Sequence, residues 1–340
     1  MKLAVVLFNL GGPDTPEAVG PFLKNLFSDP AIISLPGVVR KPLAAFIARG
    51  RTPIAQEIYA KIGGRSPIVE ETERQARALE VALSVDGAEV KAFIAMRYWK
   101  PFSDETARAV KAWSPDKIVL LPLYPQFSTT TTQSSLDDWK QAAQRAGLSA
   151  PTRRVCCYPW DVGFVNASVA LIRETMAKRR DGVSYRLLLS AHGLPERTIA
   201  KGDPYRWQVE KTAEAIVAAL GISGLDWNVC YQSRVGRLKW IGPATDTEIR
   251  RAGADGKGVI VVPVAFVSEH SETLVELDIE YGHLAKASGV VDYLRTPTVG
   301  HHAAFIAGLA RLVSTAALGQ TPVTCGDGRI CPREFARCGF

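Results

Sequence analysis

The sequence predicts an α/β protein made of two open parallel sheets with helices on both faces. Three observations predict it. Apolar strand-like runs alternate with amphipathic helical stretches along almost the whole chain, the order that sets parallel strands between crossover helices. Two of the runs, V-L-L-P-L at 119–123 and V-I-V-V-P-V at 259–264, are continuously apolar, as strands buried on both faces must be. The length of 340 residues and the 47% hydrophobic content suit about two domains, each with its own core.

The first strand is 3–8. Its apolar run is short, carries one Lys just before it and ends in Gly-Gly-Pro without a small-residue cleavage site, so it reads as a strand rather than a signal peptide. Further strands are expected at 90–95, 117–121, 153–157, 186–190, 227–231, 259–264 and 290–293. Helices are expected at 72–83, 103–113, 135–146, 164–179, 205–220 and 301–317. The two halves divide near Trp160. No strong internal repeat is visible, but L-L-P-L-Y-P-Q-F-S in the first half weakly echoes V-V-P-V-A-F-V-S-E in the second. Residues 21–64 break the pattern. They mix Phe22, Leu26, Phe27, Ile32, Ile33, Leu35, Val38, Val39 and Phe46 with Lys24, Arg40, Lys41, Arg49 and Arg51, and Pro and Gly interrupt them repeatedly. This segment reads as an irregular, partly helical lid, with an ordinary helix pair packed on the core as the other reading.

Composition narrows the function. The net charge is +7, but no basic run is long enough for a nucleic-acid arm. The excess suits an anionic small molecule or an anionic membrane surface. No apolar run approaches the roughly 18 residues of a membrane span, so a cytosolic chain touching a membrane from one side at most is expected. Six cysteines fall unevenly: Cys156 and Cys157 are adjacent, Cys230 stands alone, and Cys325, Cys331 and Cys338 crowd the end. Inside a cell such a terminal cluster suggests a metal or iron–sulfur site rather than disulfides.

Ligands of open α/β sheets bind beyond the carboxyl ends of strands. That rule selects Arg97 and Tyr98, residues 124–132, His192 and residues 232–234. His192 follows a buried strand in L-L-L-S-A-H-G-L-P-E-R, in a turn stiffened by Gly193 and Pro195. An imidazole fixed there is a base or a metal ligand near neutral pH. After the strand ending V-V-P-V-A-F-V comes S-E-H-S-E-T-L-V-E-L-D-I-E-Y-G-H. Glu272, Glu276 and Glu280 recur every four residues, with His270 beside them. On an α-helix this spacing stacks three acids on one face, each like-charged pair costing roughly a few tenths of a kcal/mol. A solvated face mixes signs, and this one does not. Acids beside an imidazole can bind a divalent cation or pass protons.

At these residues the chain resembles the ferrochelatase family. The resemblance is carried by S-A-H-G-L-P, F-V-S-E-H-S-E-T-L-V-E-L-D-I-E-Y, P-L-Y-P-Q-F-S, R-T-P-I-A-Q-E-I-Y-A-K-I-G-G-R-S-P-I and Y-Q-S-R-V-G-R-L-K-W-I-G-P, in the family's order. It runs from Asn9 to about residue 318. It implies two Rossmann-like, chelatase-type halves with four-stranded parallel sheets and a porphyrin cleft between them. The divisions it implies are 1–160, including a cleft lip at about 21–64, then 161–320, then a Cys-rich tail at 321–340.

The implied activity is insertion of Fe²⁺ into protoporphyrin IX to give protohaem, the last step of haem biosynthesis. A coproporphyrin or other tetrapyrrole chelatase, or a non-catalytic porphyrin or haem carrier, are the alternatives. By position, His192 and Glu272 match the catalytic pair, and His192, Glu272, Glu276 and Glu280 match the metal path. Arg97, Tyr98, Tyr59, Ser66 and Trp240 match porphyrin-binding positions, with Arg97 and Tyr98 on the opposite wall of the family's cleft. Glu269 stands where many members have Asp, and Gly193 where many have Ser. The lip implies peripheral attachment to the inner-membrane surface of a cytoplasmic protein, monomeric or homodimeric, with no nucleic-acid partner. Some members carry a [2Fe–2S] cluster on three C-terminal cysteines and one internal one. Here Cys325, Cys331 and Cys338 would be joined by Cys157 or Cys156, adjacent strand residues that point to opposite faces, with Cys157 favoured. A zinc site and a tail with incidental thiols are the other readings.

Overall fold

The computed structural model describes residues 1–84, 89–234, 236, 238–319 and 322–340. The chain forms two compact units. In the first, β1 (Lys2–Asn9) leads to α1 (Val19–Ser28), α2 (Gly37–Ala60), α3 (Ile68–Leu83) and β2 (Glu89–Met96). Then come α4 (Ser103–Trp113), β3 (Lys117–Pro122), α5 (Thr132–Ala146) and β4 (Thr152–Cys157). In the second, α6 (Val162–Met176), β5 (Tyr185–His192), α7 (Glu196–Ala200), α8 (Tyr205–Leu220), β6 (Trp227–Gln232), α9 (Thr245–Ala254) and β7 (Gly258–Pro263) precede a π-helix at Glu272–Glu280. α10 (Tyr281–Ala287) and β8 (Tyr293–Arg295) follow it. α11 (Ala303–Leu318) begins in the second unit and ends in the first, where β9 (Val323–Thr324) lies.

Among the described residues all strand pairs are parallel, in the orders β2-β1-β3-β4-β9 and β6-β5-β7-β8. The centre of each sheet is apolar because both faces are covered. In the first unit Val6, Phe8, Ile118 and Leu120 pack with Leu136 and Trp139 of α5. In the second, Leu187, Leu189, Ile260 and Val262 pack with Val209 and Ile216 of α8 on one face, while Leu188, Val259 and Val261 meet Ile249 of α9 on the other. Burying such a side chain contributes about 1.5–3 kcal/mol over leaving it exposed. The weak echo between halves falls on β3 and β7, which hold the same place in their two sheets.

Where sequence and structure differ, the reasons are local. The first sheet has five strands, not four, because two residues of the tail pair with β4 at Val155↔Val323 and Cys157↔Thr324. A two-residue strand carries no period to read. The strand expected at 290–293 is displaced to Tyr293–Arg295, since Val259 pairs with Tyr293 and Val290 is held by Ala285 in the turn after α10. α9 went unread because only Ile249 and Ala252 of its apolar residues are buried. The compact units are not continuous in sequence: the first takes Met1–Cys157, Leu309–Ile330 and Gly339–Phe340, the second Tyr158–Gly308 and Cys331–Cys338. The expected boundary at 320/321 lies outside the described residues, as do Val235 and Arg237 of the motif at 231–243.

The irregular lid is a helix pair. Val19, Phe22 and Leu23 of α1 and Ala48 and Tyr59 of α2 form one apolar cluster with Tyr98, and Ile32 and Phe27 pack on it. α2 tolerates Pro42 and Pro53 within its 24 residues. Its other side leaves Val38, Val39, Phe46 and Ile54 exposed, at 84%, 51%, 77% and 62%. Among the described residues no helix is long and apolar enough to cross a membrane.

Candidate active site

The second unit brings the predicted chemistry together at the carboxyl ends of β5, β6 and β7. His192 closes β5 and Gln232 closes β6, its direct partner in register. The acids enter from the segment after β7. His192 Nδ1 lies 2.8 Å from Glu272 Oε2. His270 Nε2 stands 4.0 Å from the same oxygen, and its Nδ1 lies 3.1 Å from the Ser268 carbonyl oxygen.

The acids stand on a π-helix, not the α-helix expected. Its i→i+5 closure holds more than four residues per turn. Residues four apart then fall just short of a full turn, and Glu272 and Glu276 stay neighbours. Ser233 sits between them. Its hydroxyl reaches Glu272 Oε2 at 3.2 Å and also Glu276 Oε2, and its N–H donates to Glu276 Oε1 at 2.8 Å. Gln232 Nε2 donates to Glu276 Oε2 at 3.0 Å and to the Glu272 carbonyl at 3.1 Å. Tyr281 OH donates to Glu276 Oε1 at 3.1 Å. Ser233 has φ +59°, a left-handed conformation in a residue other than glycine. Such strain persists where surroundings hold it, and sites are where it clusters. Glu280 is exposed at the far end of the ladder.

These contacts set the charges. Burial disfavours charge on His192, but Glu272 and Glu276 outweigh it and hold its pKa above the usual value. Burial likewise opposes ionisation of Glu272, yet His192, His270 and the Ser233 hydroxyl bring it down to about 2. Burial and the neighbouring Glu272 push Glu276 up. Glu269 belongs to a different group: burial opposes its charge, but Arg295, 2.7 Å away, keeps it ionised below its ordinary range. Trp240 bridges back to Pro195, and a side chain at Gly193 would come within 3.3 Å of its ring. Gly193 therefore leaves that ring its space.

The first unit holds the other predicted residues. Arg97 follows β2; its guanidinium contacts Asp29 Oδ2 at 2.8 Å, donates to Ser134 Oγ at 2.7 Å and lies 5.0 Å from the Tyr98 ring. Tyr98 is buried and donates to the same Asp29 oxygen at 2.8 Å. Tyr59 is buried in the helix-pair cluster, and Ser66 is buried where a Cβ at Gly12 would lie 2.5 Å from its own. Asp29 and Ser134 were not read from the sequence. A lone Asp in an irregular stretch gives no signal of its partners.

The tail cysteines are divided. Cys325 lies in the first unit with Cys156 and Cys157; Cys331 and Cys338 lie in the second. Cys156, Cys157 and Cys331 are buried. Gln208 Nε2 donates to the Cys331 sulfur at 3.0 Å. A thiolate is the better acceptor for such a bond, and a Cys331 sulfur placed in this way suits an iron–sulfur ligand.

Solved structures share the fold at low identity. A sirohydrochlorin chelatase, SirB of Bacillus subtilis subspecies spizizenii in complex with cobalt, superposes with TM-score 0.55 at 12% identity over 94% of this chain and 96% of its own. SirB from Bacillus subtilis with Fe³⁺ gives 0.54 at 14% over 93% and 96%. The fold is thus that of the chelatase architecture. The ferrochelatase family pattern matches residues 2–317. Ferrochelatases of Phenylobacterium zucineum and Caulobacter vibrioides are 57% and 55% identical, each over 99% of this chain and 98% and 97% of their own. That of Pelagibacter ubique is 46% identical over 99% and 98%. The chain belongs to the ferrochelatase family.

Proposed function

We propose that the protein inserts Fe²⁺ into protoporphyrin IX to give protohaem. The observation that carries this reading is the His192–Glu272 pair at the strand ends of a ferrochelatase-family chain. Metallation removes two pyrrole protons and strips water from Fe²⁺. His192 engages Glu272 through Nδ1, which leaves Nε2 to face a porphyrin nitrogen. Each member of the pair favours the charged form of the other: the imidazole pKa is raised and the carboxylate pKa lowered. In its base form the imidazole accepts one pyrrole proton, releases it to the neighbouring carboxylates, and accepts the second in turn. Glu272, Glu276 and Glu280 offer oxygen donors to a cation losing its water. Glu276, with its raised pKa, is the member suited to carrying a proton outward. Of the positions expected to bind porphyrin, Arg97 and Trp240 keep some exposure and would contact it, while Tyr98, Tyr59 and Ser66 are buried and would back the wall.

The test is anaerobic turnover with Fe²⁺ and either protoporphyrin IX or coproporphyrin III. Faster metallation of protoporphyrin supports the reading. Preference for coproporphyrin would make it a different porphyrin chelatase, and tight binding without metallation would make it a carrier.

Two further properties belong to this reading. A [2Fe–2S] cluster is held by Cys325, Cys331 and Cys338 with Cys157, or else Cys156; when bound it exchanges one electron. The register favours Cys157, which pairs with Thr324, next to Cys325. The protein, cytoplasmic, also associates peripherally with the inner membrane. Val38, Val39 and Phe46 on α2 enter the interface while Lys41, Arg49 and Arg51, all exposed, meet anionic headgroups.

A further inference from the structure

We infer that Gln208 tunes the reduction potential of the [2Fe–2S] cluster by donating a hydrogen bond to the sulfur of its Cys331 ligand. The inference rests on the cluster reading above. Gln208 lies in the first turn of α8 and has no solvent exposure; Cys331 is 5% exposed. The separation of 3.0 Å is close for a sulfur acceptor, whose radius exceeds that of oxygen.

The surrounding contacts fix this geometry from both sides. Residues 331–338 contact α8 and the turn before it. The Phe335 ring is 5.8 Å from that of Trp207, the residue before Gln208. The N–H of Arg337 donates to the Gly202 carbonyl at 3.1 Å. Gly202 has φ +92°, and a Cβ there would stand 3.0 Å from the Ala336 nitrogen, so the close approach of the tail requires glycine. On the helix side, the Gln208 N–H donates to Pro204 O at 2.9 Å and its carbonyl accepts from Thr212 Oγ1 at 2.9 Å. The backbone that carries the Gln208 side chain is therefore held in place before any electron arrives, and the side chain is fully buried.

A reduced cluster carries one more negative charge, shared with its ligand sulfurs. A fixed N–H aimed at one of those sulfurs favours the reduced state, and burial strengthens the effect. Gln208 thus acts as a positioning and tuning residue that raises the potential. A residue that merely anchored the tail would change cluster content and leave the potential alone.

The experiment is a dithionite titration of full-length wild type, Gln208→Leu and Gln208→Glu, followed by visible absorption and iron and sulfide content. Gln208→Leu keeps the size without the donor. Its potential should move negative by about a tenfold change in the reduction equilibrium, about 59 mV for one electron. Gln208→Glu, which sets a carboxylate against the sulfur, should move it further. An unshifted potential in a Leu variant with full cluster content overturns the inference and leaves the cluster reading standing. If the Leu variant arrives without cluster, reduced wild type labelled with ¹⁵N in the glutamine side chains decides the matter. Pulsed EPR should show a coupled nitrogen, and its absence overturns the inference. Wild type without iron–sulfur absorption removes the cluster reading itself, and this inference with it.

Discussion

The Nδ1 of His192 lies 2.8 Å from Oε2 of Glu272, although 80 residues separate them in sequence. Sheet order makes the pair. β7 is hydrogen-bonded to β5, so the segment leaving β7 arrives at the end of β5 where His192 stands. Each group favours the charged form of the other.

Removing either partner should disable metal insertion. His192→Ala and Glu272→Gln should lower kcat by roughly 10²–10⁴-fold, the usual worth of a positioned acid–base group. Porphyrin affinity, followed by fluorescence quenching, should stay within a few-fold. Glu280→Gln should be milder, because Glu280 is exposed at the outer end of the ladder. Near-normal turnover in His192→Ala would remove His192 from the mechanism.

The pair also predicts a pH profile. The base form of His192 is populated only above its raised pKa, so kcat/KM should climb with pH through an inflection above 6.5. Glu272→Gln should move that inflection downward in whatever activity remains. Stability carries the opposite signature on the basic side. The contribution of His192 is complete below its unfolded value of 6.5 and is lost as pH rises through the raised value. The contribution of Glu272 is complete above 4.5 and fades as pH falls towards about 2. Side chains 37% and 25% exposed keep both effects modest. Thermal unfolding across pH checks the signs, and an inflection below 6.5 in the wild type would contradict the pairing.

Long, strongly patterned elements were legible in the sequence, and α4 and α8 fall where the spacing placed them. His192 and the acids were legible because residue type, spacing and strand-end position agree. Gln232 and Ser233 were flagged by the strand-end rule and stand in the Y-Q-S-R stretch of the resemblance. Their role was hidden because it depends on carboxylates roughly forty residues away, which only the sheet order brings near. The π-helix was hidden for a different reason: a four-residue recurrence fits a turn slightly shorter or slightly longer than four. Asp29 joins Arg97 and Tyr98 from a segment with no periodicity at all.

The exposed side of α2 should bind membranes. Purified protein should sediment with vesicles containing anionic phospholipid, and salt should release it, since screened charges attract less. The informative variants are Val38→Ser and Phe46→Ser, whose side chains face solvent at 84% and 77% of the residue surface. Ile32 would mislead, because it packs on the helix-pair cluster and its loss would loosen the fold. Together the two variants should weaken vesicle binding about tenfold without changing the unfolding temperature. Indifference of the wild type to anionic vesicles at low salt would refute the lip.

The tail should depend on iron. Residues 323–340 contribute one two-residue strand and few buried side chains, among them Cys331 and Thr324. Burial on that scale offsets little of the entropy of ordering, which costs roughly 1–2 kcal/mol per residue for the backbone. Thiolate–iron bonds from Cys325, Cys331 and Cys338 to a strand cysteine would supply the difference, as metal binding does in small domains. Purified protein should be reddish-brown and should lose its visible absorption on mild acid or chelation. Cys331→Ser should be colourless, with a tail cut faster by protease. Cys157→Ser should lose the cluster and Cys156→Ser should retain it, since Cys157 pairs with Thr324, next to Cys325. Cys230→Ser should stay coloured: burial in β6 pushes that thiol up to about 12, far from a thiolate at neutral pH. Protein that binds zinc and shows no iron–sulfur absorption after anaerobic preparation would defeat the cluster while leaving porphyrin metallation intact.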